Sequence, residues 1–395
     1  MKIKNCRLCH GSLSEPKINL GETPLANEFL SVKTEQDKFP LEVCVCQDCG
    51  HYQLNQSIDP ERLFRHYVYV AGTSPVNVEH FKKYAEHMVQ TFRLQEGNKV
   101  LDIASNDGTL LKHFKNLGLT VLGIDPAKNL AEQATQEGIP TIPEFFTEQY
   151  ADQILADHGQ FNLITANNVF AHVPDLIGFA KGVKKLLANQ GVFSFEVSYF
   201  ADVCDFNLFD TIYHEHSSYH TIAPLKSFFK KFGLSIFDVE YIDNHGGSIR
   251  VFVTHLGQKP EYTNLVYEDN MPEKVEQLND KITILKKNLN RLLTEYENVV
   301  IYGYPAKATT LMYALDIDPE RIQFAVDSNP LKQNTFTPGL QLPVLSMNNL
   351  VKYKGHIDCL LILAWNFADS IMKKCREAGF DGKFVVPLPE LKIYG

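Results

Sequence analysis

The chain has no apolar run near the roughly 20 residues that a membrane-spanning helix requires. It has no surplus of positive charge either: 38 lysines and arginines stand against 47 aspartates and glutamates, a net charge of −9. A surface that grips nucleic acid by its phosphates needs the opposite balance, so nucleic acid is excluded as the main partner, while a local basic pocket for one nucleotide is not. The start, Met1-Lys2-Ile3-Lys4-Asn5-Cys6, lacks the apolar stretch of a signal peptide, and a cytoplasmic protein is the expectation. There is no Walker A loop to suggest NTP hydrolysis, and the His-x-His of residues 214–216 with its one carboxylate is not the H-E-x-x-H motif of a zincin. At 395 residues the chain is long for one core, and two or three domains are expected.

Cysteine is scarce beyond the first 50 residues, where only Cys204, Cys359 and Cys375 occur. Within them, Cys6-Arg7-Leu8-Cys9 and Cys46-Gln47-Asp48-Cys49 form two C-x-x-C turns about 40 residues apart. Each turn can present two thiolates on one side of a tight loop, and two facing turns make a closed tetrahedral sulfur site. Cys6, Cys9, Cys46 and Cys49 are therefore the expected ligands of a structural zinc. Cys44 is surplus, and His10 and His51 are read as bystanders.

Asp59-Pro60-Glu61 looks like a helix start. After the Tyr67–Pro75 loop a second helix runs from about Val76 to Phe92. Thr73 in that loop reads equally as a ligand contact or, with Ser74, as a helix cap. Lys99–Ala104 is an apolar strand that turns through Ser105-Asn106-Asp107-Gly108 into a helix at Thr109. The next strand, from Thr120, ends at Asp125, 23 residues after Asp102. Strand, turn, helix and acid-tipped strand make the first half of a doubly wound α/β fold, and the acid can accept hydrogen bonds from both ribose hydroxyls. The loop offers one glycine where a pyrophosphate needs three, so S-adenosylmethionine fits better than NAD. The alternation continues through strand Phe161–Ala166, Asn167, His172, helix Asp175–Leu187 and strand Gly191–Val197, which holds Glu196. A single histidine such as His172 at a strand end is more often a core or helix-capping residue than a functional one.

Tyr213-His214-Glu215-His216 packs a phenol, two imidazoles and a carboxylate into four positions flanked by apolar residues, which marks a candidate reaction centre. A helix, Ala223–Phe232, and strand Leu234–Tyr241 follow. His245-Gly246-Gly247-Ser248-Ile249-Arg250 feeds another strand, and its glycines serve a hairpin or a close ligand approach alike. Helical spacing of Val275, Leu278, Ile282, Leu285, Leu289 and Leu292 gives a linker helix over Glu273–Glu297. A second α/β unit begins with strand Val299–Gly303, and Lys307 near the next helix start could hold a phosphate.

In this order the motifs resemble the family of C-methyltransferases that act on nucleotide-linked keto sugars. The likeness covers nearly the whole chain: the paired cysteine turns, Tyr-Val-Tyr-x-x-Gly-Thr-Ser at 67–74, Leu-Asp-Ile-Ala-Ser-Asn-Asp-Gly at 101–108, Asn-x-x-x-His at 168–172, Tyr-His-Glu-His at 213–216, His-Gly-Gly-Ser-x-Arg at 245–250 and Gly-x-Pro-Ala-Lys at 303–307. Cys44 is extra, and Ala308 stands where that family often has glycine. The resemblance implies a zinc-binding domain (1–65), a class I methyltransferase Rossmann-like core (66–258) and a C-terminal Rossmann-like α/β domain (259–395) that shares the sugar-nucleotide site. It implies methyl transfer from S-adenosylmethionine to carbon 3 of a dTDP- or GDP-linked 4-keto-6-deoxy sugar, in deoxysugar biosynthesis. His216 would be the base and Glu215 its positioning partner, with Tyr213 and His172 near the enolate oxygen. Asp102, Asn106, Gly108, Asp125, Asn167 and Thr73 would meet the cofactor; Tyr69, Glu196, His214, His245, Arg250 and Lys307 would meet the substrate. Base and methyl donor on opposite ring faces would invert carbon 3. Monomer or weak homodimer is the expected state. The competing readings are O- or N-methylation of a related sugar, an NAD-dependent oxidoreductase built on the C-terminal unit, and a non-catalytic binding module.

Overall fold

The structure, a computed structural model, describes residues 1–65, 70–242, 247–265 and 268–395. Tyr69 and His245 lie outside the described residues.

The N-terminal region contributes strands β1 (Ile18–Thr23), β2 (Phe39–Val45) and β3 (Tyr52–Leu54), followed by helix α1 (Pro60–Phe64). Asp59 caps α1 through its carboxylate and Pro60 fills the first turn, where the missing N–H costs nothing. Helix α2 (Pro75–Phe92) starts at Ser74, whose hydroxyl accepts from Asn77 N.

The central domain runs β4 (Lys99–Ile103), α3 (Thr109–Asn116), β5 (Thr120–Ile124), α4 (Lys128–Gln136), β6 (Thr141–Ile142), α5 (Glu148–His158), β7 (Phe161–Thr165), α6 (Leu176–Leu186), β8 (Leu187–Ser198) and α7 (Phe200–Asp205). A short strand β9 (Ser218–Tyr219), helix α8 (Ile222–Lys231) and the hairpin β10 (Leu234–Ile242) and β11 (Ser248–His255) complete it. Its sheet has the order β10-β11-β8-β7-β4-β5-β6, and β11 runs antiparallel to both neighbours. The inner strands are apolar on both faces because helices cover both sides of a parallel sheet. Phe170, Phe179, Phe193, Phe195, Phe228 and Phe229 interlock beneath it and are all buried, each worth about 1.5–3 kcal/mol of burial. Strand order reverses between β4 and β7, which opens a crevice at their carboxyl ends.

Strand β9 leaves this sheet and joins the N-terminal one, giving the order β1-β2-β3-β9. Helix α9 (Met271–Leu293) buries the expected apolar stripe. It touches all three regions: Asn279 donates to Lys17 O, Lys281 to Cys204 O and Asn290 to Leu315 O. The C-terminal unit is built from β12 (Val299–Tyr302), α10 (Ala306–Ala314), β13 (Ile322–Val326), β14 (Thr335–Phe336), β15 (Pro343–Leu345), α11 (Met347–Tyr353), β16 (Cys359–Ile362), α12 (Ala368–Glu377), β17 (Lys383–Val386) and β18 (Lys392–Tyr394). Its sheet order is β14-β15-β13-β12-β16-β17-β18, a second doubly wound unit.

Two boundaries depart from the sequence reading. Strand β8 starts at Leu187, directly after α6, because Leu187 already pairs with Phe161. Helix α9 stops at Leu293, where its apolar stripe runs out and Thr294 caps it.

Candidate active site

A cavity of about 700 Å³ opens at the crevice and is walled by all three regions of the chain, within the range of ligand pockets. Its lining includes Asp102, Asn106 and Asp125. Asp125 follows β5, and its carboxylate accepts from the backbone N–H groups of Asn106 and Ala127, both at 2.8 Å. Burial pushes the Asp125 carboxyl up to about 6, against the pull of those two donors. Burial likewise raises Asp102 to about 7, although the Thr165 hydroxyl donates to it at 2.6 Å. Asn106 adopts φ 53°, and its side chain accepts from Ala71 N at 2.9 Å, tying the loop before α2 to the turn after β4. Gly72 must be glycine there: a Cβ would sit 2.4 Å from the Asp107 carboxylate that accepts its N–H.

Asn167, after β7, also lines the cavity, and both polar atoms of its amide are buried without a partner. An unpaired amide of this kind costs about 1–3 kcal/mol unless something fills its hydrogen bonds. A carboxylate and an amide in want of partners in one cavity suit the two polar ends of S-adenosylmethionine. Phe145, Phe146 and, from α1, Phe64 add apolar wall between them.

The same cavity is also lined by imidazoles. His172 and His216, 44 positions apart in sequence, meet edge to face with ring centroids 4.7 Å apart. The Nδ1 of His216 lies 2.7 Å from Thr211 O, so it carries the proton, and Nε2, 3.0 Å from the Tyr213 hydroxyl, keeps the basic electron pair. Burial, with the nearby His216, drives His172 well below 6.5 and keeps it neutral. Glu215 is buried and accepts from Asn27 Nδ2 at 2.6 Å. Among the described residues, Thr211 and Tyr213 hydrogen-bond the His216 ring.

The C-terminal unit supplies Pro305, Ala306, Lys307, Asn329 and Lys332 to the same cavity. Lys307 Nζ lies over the Trp365 ring, donates to Asn366 and stands 3.8 Å from Asp210. Asp210 is fully buried and accepts from Trp365 Nε1 at 2.6 Å, which binds this unit to the loop that carries Thr211. Thr310 on α10 adds a hydrogen bond to Ile212 O at 2.7 Å.

Several expected residues do not reach the cavity. Glu196 and Arg250 are register partners across β8 and β11, and the guanidinium grips the carboxylate at 2.6 and 2.8 Å. His80 on α2 also binds Glu196 at 3.0 Å, and His80 itself lines the cavity. His214 turns the other way, with Nε2 3.2 Å from Pro40 O and its ring against Phe39. Thr73 is exposed and closes its own turn by donating to Val70 O. Gly108 caps α3 at φ 74°, where a Cβ would press on Ile139, so its part is backbone shape. Sequence reasoning missed Asn27, His80, Thr211, Asn329 and Lys332. Asn329 follows a strand end, β13, which is a usable signal; Asn27 sits in a strap with no pattern to mark it.

Outside the cavity lining, the sulfur atoms of Cys6, Cys9, Cys46 and Cys49 all lie within 4.8 Å of one another. The Cys6–Cys49 and Cys9–Cys46 separations are 3.7 and 3.5 Å. Zinc–thiolate bonds of about 2.3 Å in a tetrahedron put neighbouring sulfurs about 3.8 Å apart, so the cluster fits a four-coordinate structural zinc. Cys44 is a separate buried thiol, and His51 stacks on His220 instead of joining the cluster.

Three family models match in order: a zinc binding domain over residues 6–64, a methyltransferase domain over 78–239 and a C-methyltransferase C-terminal domain over 243–389. The C-methyltransferase NovU of Streptomyces niveus is 34% identical over 99% of this chain and 97% of its own length. A ubiquinone biosynthesis O-methyltransferase of Bartonella bacilliformis is 30% identical over 37% of this chain and 48% of its own. Magnesium protoporphyrin IX methyltransferase from Synechocystis, solved with S-adenosylmethionine, aligns over 51% of this chain and all of its own at 14% identity, with a TM-score of 0.38 that carries no weight here. Zinc knuckle, class I core and C-terminal unit stand in one continuous match, and the chain belongs to the S-adenosylmethionine-dependent C-methyltransferases.

Proposed function

We propose that the chain methylates carbon 3 of a nucleoside-diphosphate-linked 4-keto-6-deoxy sugar, with His216 as the base. The observation that carries this reading is the state of His216: its Nδ1 proton is spent on Thr211 O, so Nε2 is the basic nitrogen, on a wall shared with Asp125 and Asn167. A ring carbon beside a ketone becomes nucleophilic only once its proton is removed and the charge moves to the ketone oxygen. His216 takes that proton at Nε2. The substrate C–H displaces the Tyr213 hydroxyl from Nε2, and that hydroxyl turns to donate to the enolate oxygen. His172, held neutral, offers a ring N–H to the same oxygen without competing for the proton. Asp125, Asn106 and Asn167 would hold S-adenosylmethionine, which would supply an electrophilic methyl group on sulfur. As the new carbon–carbon bond forms the methyl–sulfur bond would break, the ketone re-forms, S-adenosylhomocysteine would leave as the neutral thioether, and His216 returns its proton to solvent. Lys307 and Lys332, from the C-terminal unit, are the cations available for a diphosphate.

The test is proton exchange. A dTDP-linked 4-keto-6-deoxyglucose in deuterated water, with enzyme and no cofactor, should exchange at carbon 3. His216→Asn should lower exchange and methyl transfer by about two orders of magnitude or more. Methyl transfer to the sugar without exchange at carbon 3 would point instead to an oxygen or nitrogen acceptor. Stabilisation by NAD and none by S-adenosylhomocysteine in a thermal shift would revive the oxidoreductase reading.

A further inference from the structure

The zinc knuckle and the imidazole pair belong to regions that start more than 160 positions apart, yet one buried side chain joins them in addition to the β3–β9 pairing. Arg7 lies between two ligand cysteines and is buried, with its backbone N–H fixed by the Gln53 side chain at 2.7 Å. Its guanidinium donates to Leu54 O at 2.7 Å, to Gln56 O at 3.3 Å and to Ser217 O at 3.2 Å. Ser217 follows His216 directly, and its carbonyl also accepts from Leu54 N at 3.0 Å. On its other side, Ser217 Oγ and Ser218 N both donate to Ala171 O at 3.1 Å, and Ala171 directly precedes His172.

The residue after one imidazole and the residue before the other are thus pinned together, and the pinned point hangs from the knuckle by Arg7. We infer that Arg7 is a positioning residue for the reaction: it lets the zinc knuckle set where the His172–His216 pair stands relative to substrate. A metal domain that served folding alone would need no buried arginine aimed at the loop of the base. The carbonyl of Ser217 could have been satisfied by Leu54 N, as in any sheet edge. The second donor comes from a rigid cysteine turn whose geometry the metal fixes, so small movements of the knuckle pass to His216. Misplacement by about 1 Å at a reacting group costs on the order of a hundred-fold in rate.

This inference rests on His216 being the base, and the experiment separates the two. Arg7→Met, Arg7→Lys, Ser217→Ala and His216→Asn are prepared as full-length protein. For each, bound zinc, affinity for S-adenosylhomocysteine, carbon-3 exchange of the dTDP-linked 4-keto-6-deoxyglucose, and kcat and KM are measured. Arg7→Met is expected to keep about one zinc per chain and wild-type cofactor affinity. Its exchange rate and kcat should fall about ten-fold or more while KM stays within about three-fold, and Arg7→Lys should recover part of the loss. Ser217→Ala, which deletes only the bond to Ala171, should show the same pattern more weakly. Should Arg7→Met fail to fold, Ser217→Ala and Arg7→Lys decide. Zinc-loaded variants with wild-type exchange and kcat would overturn the inference, provided His216→Asn is inactive. An active His216→Asn would overturn the base assignment instead.

Discussion

Replacing Asp125 with Asn removes a charge at the carboxylate proposed to receive the ribose hydroxyls. Both backbone donors around it, Asn106 N and Ala127 N, stand at 2.8 Å and each faces a carboxylate oxygen. Asparagine keeps one acceptor oxygen, and its NH2 must then face one of those N–H groups or the cofactor. Hydrogen bonds to a charged group are worth about 1.5–3 kcal/mol each, so losing the equivalent of one to two gives about 3 kcal/mol. That corresponds to roughly a 150-fold weaker Kd for S-adenosylhomocysteine, read by titration calorimetry at pH 8. The wild-type protein carries its own control in pH. The Asp125 carboxyl sits at about 6, so it is ionised and able to accept above that value, and it loses that ability as pH falls through it. At pH 5 about one molecule in ten is ionised, and the apparent Kd should rise about ten-fold from its pH 8 value. The variant should show little of that rise. A Kd for Asp125→Asn within three-fold of wild type, or a wild-type Kd flat from pH 8 to 5, would refute the ribose role.

Glu196→Gln breaks a buried pair in which two Arg250 nitrogens donate to one carboxylate oxygen, and should cost about 3 kcal/mol in denaturant melts. Because neither residue lines the cavity, its affinity for S-adenosylhomocysteine should stay within about two-fold, and a large loss would return the pair to the site. Metal analysis should find about one zinc per chain, and Cys46→Ser should lose it and melt several degrees lower; protein with no stoichiometric metal would sink the cluster assignment. Tyr213→Phe should lower kcat for methyl transfer about 100-fold at unchanged zinc and cofactor binding, and a change under three-fold would take the phenol out of the chemistry.

Local patterns carried most of the fold. Acid-tipped strands, the Ser105–Gly108 turn and the α9 stripe are each decided by residues near in sequence, and the structure has them within a few positions. The cysteine cluster was legible for the same reason, since two short turns define it. The site was legible only in part. His216 and His172 stand out by residue type, and strand-end logic gives Asp125 and Asn167. Register hides the rest: Glu196 and Arg250 look like site residues at strand ends, yet opposite positions in β8 and β11 pair them with each other. Nothing local says that Tyr-His-Glu-His turns His216 inward and His214 toward Pro40, because the turn after Thr211 fixes which side each ring takes. Arg7, Asn27 and Lys332 act across the chain, at separations no local pattern encodes.

Strand β9 has a consequence for how the chain is made. The knuckle cysteines and β3 are complete at residue 54, but the strand that pairs with the free edge of β3 spans Ser218–Tyr219. At about 5–20 residues per second, roughly ten to thirty seconds of synthesis separate the two. Throughout that interval a zinc-loaded knuckle would show an unpaired edge to the cell, the kind of surface that recruits wrong strands. Metal capture and sheet completion are therefore separate events in the life of a nascent chain. The segment that finally covers the edge is the one that brings His216 with it.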